Sequence, residues 1–272
     1  MASMDAVTAF REALAQPAGV DLIGAALAVG LIPSPDLDLA AARAECDQYI
    51  AAVAEEVRAA DGDPFAALNQ ALFARRGLHG NSADYDDPRN CCLHEVLARG
   101  VGIPITLSIL YIACGRAAGL TLEGVGFPLH FLVRGGAAPA EYRYIDPFNA
   151  GQELSRAQLA LILRRQGGGA ERQLELFLAA VTPRQILTRV LTNMKVMYSN
   201  RSNYLGARAA VDLLLALAPW SLDEVRDRGL LSLYLGDVAA AESDLTAYLE
   251  RAPDAPDAER LRARLRELQR GE

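Results

Sequence analysis

Histidine, the side chain best suited to moving protons near neutral pH, is scarce: the 272-residue chain has three, His79, His94 and His130. They form no cluster with Cys or acidic residues at metal-ligand spacing, so no metal and no cofactor is expected. Cysteine is equally sparse. Cys46, Cys91, Cys92 and Cys114 contain no CxxC, and neighbours Cys91 and Cys92 would make a poor structural bridge, which points to a reducing, cytoplasmic setting. Positive charge is in deficit. With 27 basic against 34 acidic residues the net charge is −7, which argues against a nucleic-acid binder, since phosphate contacts need a basic face. Long apolar runs are missing as well. "LIGAALAVGLIP", residues 22–33, is too brief to span a bilayer, and no secretory pattern precedes it, so no membrane association is expected.

What is present is a helix-rich globular chain, 51% hydrophobic and 22% charged, long enough for two parts. Residues 1–76 read as helical, with Ala42, Cys46, Tyr49, Ile50, Val53 and Val57 on one face. Asp63-Pro64 starts a further helix that Gly77 stops. "GLHGNSADYDDPRN", residues 77–90, is a polar loop, and Asp87-Pro88 opens a short helix running to about Arg99. Gly102-Ile103-Pro104 then restarts the chain into a buried helix ending at Gly119. From Thr121 the period changes. "TLEGVGF", "LHFLVRG" and "EYRYIDPF" predict three strands, the last two joined through Gly135 and Gly136. Helix returns over 155–165, "QGGGA" (166–170) interrupts it, and "QLELFLAAV" reads as one more strand or short helix before Thr182-Pro183.

The remainder repeats itself. Ala207 and Ala241 are 34 residues apart, as are Pro219 and Pro253, and Gly229 and Gly236-Asp237 fall where small residues and a turn belong. This resembles two tetratricopeptide units, whose period is 34 residues, followed by a charged helix at 257–270 with Leu261, Leu265 and Leu268 on one side as a cap. Two repeats are too few to stand alone, so the tail is expected to pack on the first part. From residue 183 onward 13 basic and 13 acidic residues cancel, so the −7 resides in residues 1–182. The expected division is 1–182 and 183–272.

His130 stands inside the apolar run "GFPLHFLV", residues 126–133. A core histidine with one satisfied hydrogen bond is the ordinary explanation for such a residue. If "LHFLV" is a strand, His130 and Leu132 share a face, and an antiparallel "EYRYIDPF" brings Asp146 near that strand's end. A carboxylate there would hold one ring nitrogen and leave the other free, the base and orienting half of a triad. The order of elements (buried helix, strand, strand with His, strand ending in Asp-Pro) resembles the transglutaminase-like, papain-related superfamily. More narrowly, "GNSADYDDPRNCCLHEVLARGVGIPITLSILY", "GVGFPLHFLV" and "IDPFNAG" look like its bacterial SirB-type branch, in which such a domain precedes tetratricopeptide repeats. The resemblance implies an α+β fold: a helical N-terminal segment, a core with a small antiparallel sheet, and an all-α repeat tail. It implies His130 and Asp146 as the catalytic pair.

The superfamily's nucleophilic Cys would open the central helix, and no cysteine stands between Ile103 and Ser108. Thr106 is taken as the position of the missing Cys. Cys114 lies at the far end of that helix, among core residues. Leu129 stands where the branch more often has Gly and would crowd the imidazole. Three readings stay open. The domain is a pseudoenzyme that binds a protein or peptide through its cleft or the repeat groove. Alternatively, Cys91 or Cys92, in the first turn of the helix after Asp87-Pro88, serves as a relocated nucleophile for an amide hydrolase or acyl transferase. Or Thr106 or Ser108 supplies a hydroxyl. Arg89-Asn90 is expected to anchor the loop over the cleft. His79 with Asp84, Asp86 and Asp87 reads as turn chemistry more than a cation site. His94, beside Glu95, reads as half-exposed.

Overall fold

The computed structural model describes residues 5–136, 138–165 and 171–270. Four aspartates begin the first four helices. Asp5, Asp21, Asp38 and Asp63 each accept backbone N–H groups at the starts of α1 (Ala6–Leu14), α2 (Leu22–Ala28), α3 (Leu39–Ala59) and α4 (Pro64–Asn69). One turn of π-helix, Gln70–Arg75, continues α4. The polar loop carries the short strand β1 (His79–Gly80), which pairs in parallel with β2 (Val101–Gly102). Between them the helix expected from Asp87-Pro88 is broken in two. A 3-10 turn, Pro88–Cys91, is followed by α5 (Leu93–Arg99), with Cys92 extended at φ −99°, ψ 114° as the hinge. Gly100, at φ +72°, ends α5 in the left-handed conformation.

The central helix α6 (Pro104–Ala117) is buried on nearly every side, and α3 and α4 pack along it. Its other flank carries an antiparallel sheet in the order β3 (Leu122–Val125), β4 (Leu132–Gly135), β5 (Arg143–Asp146), β6 (Gln152–Leu154). Three of these strands were read from the sequence; β6 was not, being short, polar and at the sheet edge. The expected strand over "LHFLVRG" needs correction. It begins at Leu132, and His130 sits in the turn that precedes it, where its N–H donates to the Phe127 carbonyl at 3.1 Å. Leu129 in that turn adopts φ +57° and is 81% exposed. α7 (Arg156–Arg165) and α8 (Glu171–Leu178) cover the sheet's second face through Leu159, Leu163, Leu174 and Leu178. "QLELFLAAV" is therefore largely helical, and "QGGGA" lies outside the described residues.

The tail is helical throughout: α9 (Pro183–Asn200), α10 (Tyr204–Leu217), α11 (Leu222–Tyr234), α12 (Val238–Arg251) and α13 (Ala258–Arg270). Its 34-residue period holds at the level of single hydrogen bonds. Asn203 N–H donates to the Tyr198 carbonyl, and Asp237 N–H donates to that of Ser232, both at 2.9 Å. Ser202 (φ +56°) and Gly236 (φ +75°) make the equivalent left-handed turn, and the side chains of Asn203 and Asp237 cap α10 and α12. Ala207 and Ala241 are fully buried, and Pro219 and Pro253 follow the ends of α10 and α12. The first pair belongs to the main core: Ile186, Leu187, Val190, Leu191 and Met194 of α9 pack in one cluster with Leu107 and Tyr111 of α6. α12 and α13 make a separate small core from Leu245, Tyr248, Leu261 and Leu265.

Candidate functional site

β5 delivers Asp146 at its end, and the turn before β4 delivers His130. The imidazole Nε2 lies 2.7 Å from Asp146 Oδ2, with the carboxylate almost wholly buried and the ring about one quarter exposed. The contact has hydrogen-bond length, but the ring N–H is not aimed along it. Asp146 is further held by the N–H groups of Phe148 and Asn149 on Oδ1 and by Asn149 Nδ2 on Oδ2 at 2.7 Å. Burial opposes its charge, yet the His130 contact and these donors outweigh it, and the carboxyl sits below its ordinary range. The loop after Asp146 is in turn fixed by Asn69, whose Nδ2 donates to the Gly151 carbonyl and whose Oδ1 accepts from the Tyr111 hydroxyl, both at 2.9 Å. Gly151 is at φ +75° with Asn69 directly against its α-carbon, so no side chain fits there. Phe148 meets the His130 ring edge-on at 6.1 Å.

Nε2 faces the carboxylate, so Nδ1 is the nitrogen left for chemistry or binding. Beside the ring opens a cavity of about 350 Å³. Pro104 and Ile105 at the tip of α6, with Leu129 and Phe131, form its apolar side. Tyr85 from the polar loop, with Arg189 and Asn193 from α9, form its polar side. A second, mostly apolar cavity of about 290 Å³ lies across the Leu129–His130 ridge, against Leu132, Leu159 and Ile162. Arg189 and Asn193 were not singled out from the sequence. The signal was available: both fall three and seven residues after Ile186, on the otherwise apolar stripe of α9.

None of the sequence's candidate nucleophiles lines either cavity. Thr106 is two residues past the helix tip, turned about 200° around the axis from Pro104. It is 1% exposed, and its hydroxyl donates to the Asn90 carbonyl at 2.8 Å. The residues at the helix tip that face the imidazole cavity are thus Pro104 and Ile105, with Thr106 turned away from it. Ser108 is spent on the Pro104 carbonyl at 2.7 Å. Cys91 and Cys92 occupy no helical first turn: Cys91 ends the 3-10 turn against Met197 Sδ at 3.7 Å, and Cys92 lies 3.7 Å from the Pro88 carbonyl. Both are fully buried, and burial pushes both thiols far up, away from the thiolate. Cys46 and Cys114 are core residues, pushed up to about 11 and about 12 by the same cause.

The anchor of the polar loop is Asn90, not Arg89. Asn90 is fully buried. Its Nδ2 donates to the carbonyls of Asp84 (2.8 Å) and Tyr85 (3.1 Å), and its Oδ1 accepts from Asn81 (3.0 Å) and Arg99 (2.5 Å). Arg89 points to solvent and pairs with Asp87, which also takes Arg99 at 3.0 Å. His79 is exposed and contacts the Gly77 carbonyl, and Asp84 pairs with Arg201 of the tail. His94 is half-buried beside Glu95. Among the described residues no group of three His, Cys, Asp or Glu side chains is placed to hold a metal ion, and no helix is long and apolar enough to cross a membrane.

Comparison with known proteins agrees with this architecture. The profile of the Transglutaminase-like superfamily matches residues 40–192, and that of a tetratricopeptide repeat matches residues 194–266. A UPF0162 protein of Xylella fastidiosa (strain 9a5c) is 35% identical over 254 residues, covering 91% of this chain and 89% of its own. A UPF0162 protein of Vibrio cholerae is 29% identical over 254 residues, covering 92% and 93%. F-box only protein 21 of Homo sapiens is 31% identical over 180 residues, covering 62% of this chain and 28% of the human protein. No solved structure matches the chain.

Proposed function

The chain belongs to the transglutaminase-like superfamily, and from that premise we propose that it is a pseudoenzyme, a protein- or peptide-binding module that retains the His130–Asp146 pair without a nucleophile. The SirB-type assignment, a cytoplasmic location and the functional division into 1–182 and 183–272 belong to the same proposal. One observation carries it: the helix tip facing His130 is built from Pro104 and Ile105, side chains that can neither attack a carbonyl nor give up a proton. Asp146 then acts as a buried acceptor that ties the Asn149 turn and the His130 turn to the end of β5. The repeats, a fold that serves protein–protein contact, supply a second surface.

The alternative, an amide hydrolase or acyl transferase working through Cys91 or Cys92, requires a thiolate within reach of the imidazole. Both sulfurs lie in the core with their protons held, which weighs against it. The test is turnover and thiol reactivity on the full chain. Incubation with a glutamine-containing protein and a fluorescent primary amine should show no amine incorporation and no ammonia release. All four thiols should react with an alkylating agent at least about a hundredfold more slowly than free cysteine. Turnover that disappears in His130→Ala, or one thiol alkylated quickly near pH 6, overturns the reading. Pro104→Cys supplies the positive control. A thiol at the first turn of α6 is favoured by the helix dipole, and its alkylation should outpace that of the four native cysteines and slow in the His130→Ala background.

A further inference from the structure

Among the described residues Arg189 is a cation without an anion. It reaches from α9 into the wall of the cavity beside His130, half-buried, with Nη1 donating to the Phe127 carbonyl at 3.3 Å. Among the described residues no Asp or Glu lies within ion-pairing distance of it. Other partly enclosed cations of the chain are paired: Arg76 with Glu56, Arg99 with Asp87, Lys195 with Glu224 and Asp227, and Arg228 with Asp244. Burial lowers Arg189 from the ordinary guanidinium value, and the neighbouring Tyr85 offsets this only in part. A guanidinium keeps its proton in proteins, so the cost of its enclosure is relieved by a bound anion and not by neutralisation.

Its neighbours have capacity to spare. Among the described residues neither the Tyr85 hydroxyl nor the Asn193 amide has a hydrogen-bond partner in the protein, and both line the same cavity. Three sets of donors thus converge on one space of about 350 Å³, large enough for a carboxylate and the residue that bears it. The apolar wall of Ile105 and Phe131 opposite excludes water from that contact and strengthens it. One guanidinium, with no second Lys or Arg among the described residues lining the cavity, suits a monoanion better than a phosphate dianion.

Resting on the binding-module reading, we propose that this cavity is a carboxylate-recognition site. The Arg189 fork, with Tyr85 and Asn193 beside it, holds the carboxylate of a peptide, either its C-terminus or an Asp or Glu side chain. The adjoining apolar cavity across the Leu129–His130 ridge takes an aliphatic neighbour of that residue. Because Arg189 and Asn193 belong to α9, the first repeat helix completes the cleft of the preceding part.

The experiment titrates the full chain with three N-acetylated peptides: Leu-Ala-Leu with a free C-terminus, the same peptide as its C-terminal amide, and Leu-Glu-Leu amide. Affinity and the Arg189 Nε–H and Asn193 side-chain resonances are followed by NMR. At least one charged peptide should bind about tenfold more tightly than the neutral one and shift both resonances, and which of the two does so identifies the source of the carboxylate. Arg189→Gln, which removes the charge and keeps an amide donor, should bring the charged peptides to the affinity of the neutral one while the protein still melts cooperatively; Arg189→Lys should retain part of the preference. Equal affinities on the unaltered chain, a preference that survives Arg189→Gln, no binding of either charged peptide at millimolar concentration, or displacement by inorganic phosphate more readily than by acetate overturns the proposal. Cleavage or transfer of a peptide during the titration would overturn the non-catalytic reading alone, since the carboxylate preference would remain measurable.

Discussion

Leu129 is held in a left-handed backbone conformation, φ +57°, with 81% of its surface in solvent, at the mouth of the candidate cleft. A bulky residue is unfavourable there by about 1–2 kcal/mol, and most of its apolar surface is left in solvent. Leu129→Gly should therefore stabilise the fold by about 0.5–1 kcal/mol after the entropy of a freer unfolded chain is subtracted, read as a higher midpoint in urea. An unchanged or lower midpoint would mean that the side chain is held by contacts across the ridge. Asp146 is the second residue whose chemistry can be measured directly. Its folded-state pKa is depressed below 3.8, so its contribution is present above that value and is lost as pH falls through the folded value. Asp146→Asn should cost about 2 kcal/mol near neutrality, and the gap between the two proteins should narrow only below about pH 4. A gap independent of pH down to 2 would show that the charge plays no part.

Among elements, the polar loop between the π turn and α5 depends most on a single side chain. Asn90 binds the loop carbonyls of Asp84 and Tyr85 on one side and Arg99 of α5 on the other, while its own carbonyl takes the Thr106 hydroxyl of α6. Asn90→Ala removes the side-chain partner of the Tyr85 carbonyl and of Asn81 and Arg99 in a buried setting and should destabilise by about 2–4 kcal/mol, whereas Arg89→Ala, which removes an exposed guanidinium and leaves Asp87 paired with Arg99, should cost less than about 1 kcal/mol. Urea denaturation of the two variants gives the comparison, and equal losses would reject the assignment of Asn90 as the anchor. Because the loop carries Tyr85 into the cavity, Asn90→Ala should also weaken whatever the cavity binds.

Across the whole molecule, the first repeat and the preceding part share one core. Seven buried side chains of α9, from Ile186 to Tyr198, pack into it. At about 1.5 kcal/mol or more each, their removal is comparable to the whole 5–15 kcal/mol by which a domain of this kind is stable. A fragment ending at residue 182 should lack a cooperative thermal transition, while one ending at residue 220, which keeps α9 and α10, should melt cooperatively, since α12 and α13 have a small core of their own. Calorimetry of the two fragments tests this, and a cooperative transition in the shorter one would show that the repeats are only appended.

Local chemistry was legible directly. The Asp63-Pro64 and Thr182-Pro183 helix starts, the glycine stops, the buried run of α6 and the 34-residue spacing of Ala and Pro depend on near neighbours, and the structure places them as read. Residue 130 facing residue 146 came from a likeness between separated blocks, and the two side chains do meet. Other features were out of reach because they depend on which distant segments touch. The break at Cys92 and the turn that takes His130 out of its strand have no local sequence signal, and the withdrawal of Cys91 into the core accompanies the packing of α9 against the 3-10 turn at residues 88–91. Pattern states which face of a helix is apolar, but a polar residue on that face, such as Arg189, acquires its meaning only when folding sets it beside an empty space in place of a carboxylate.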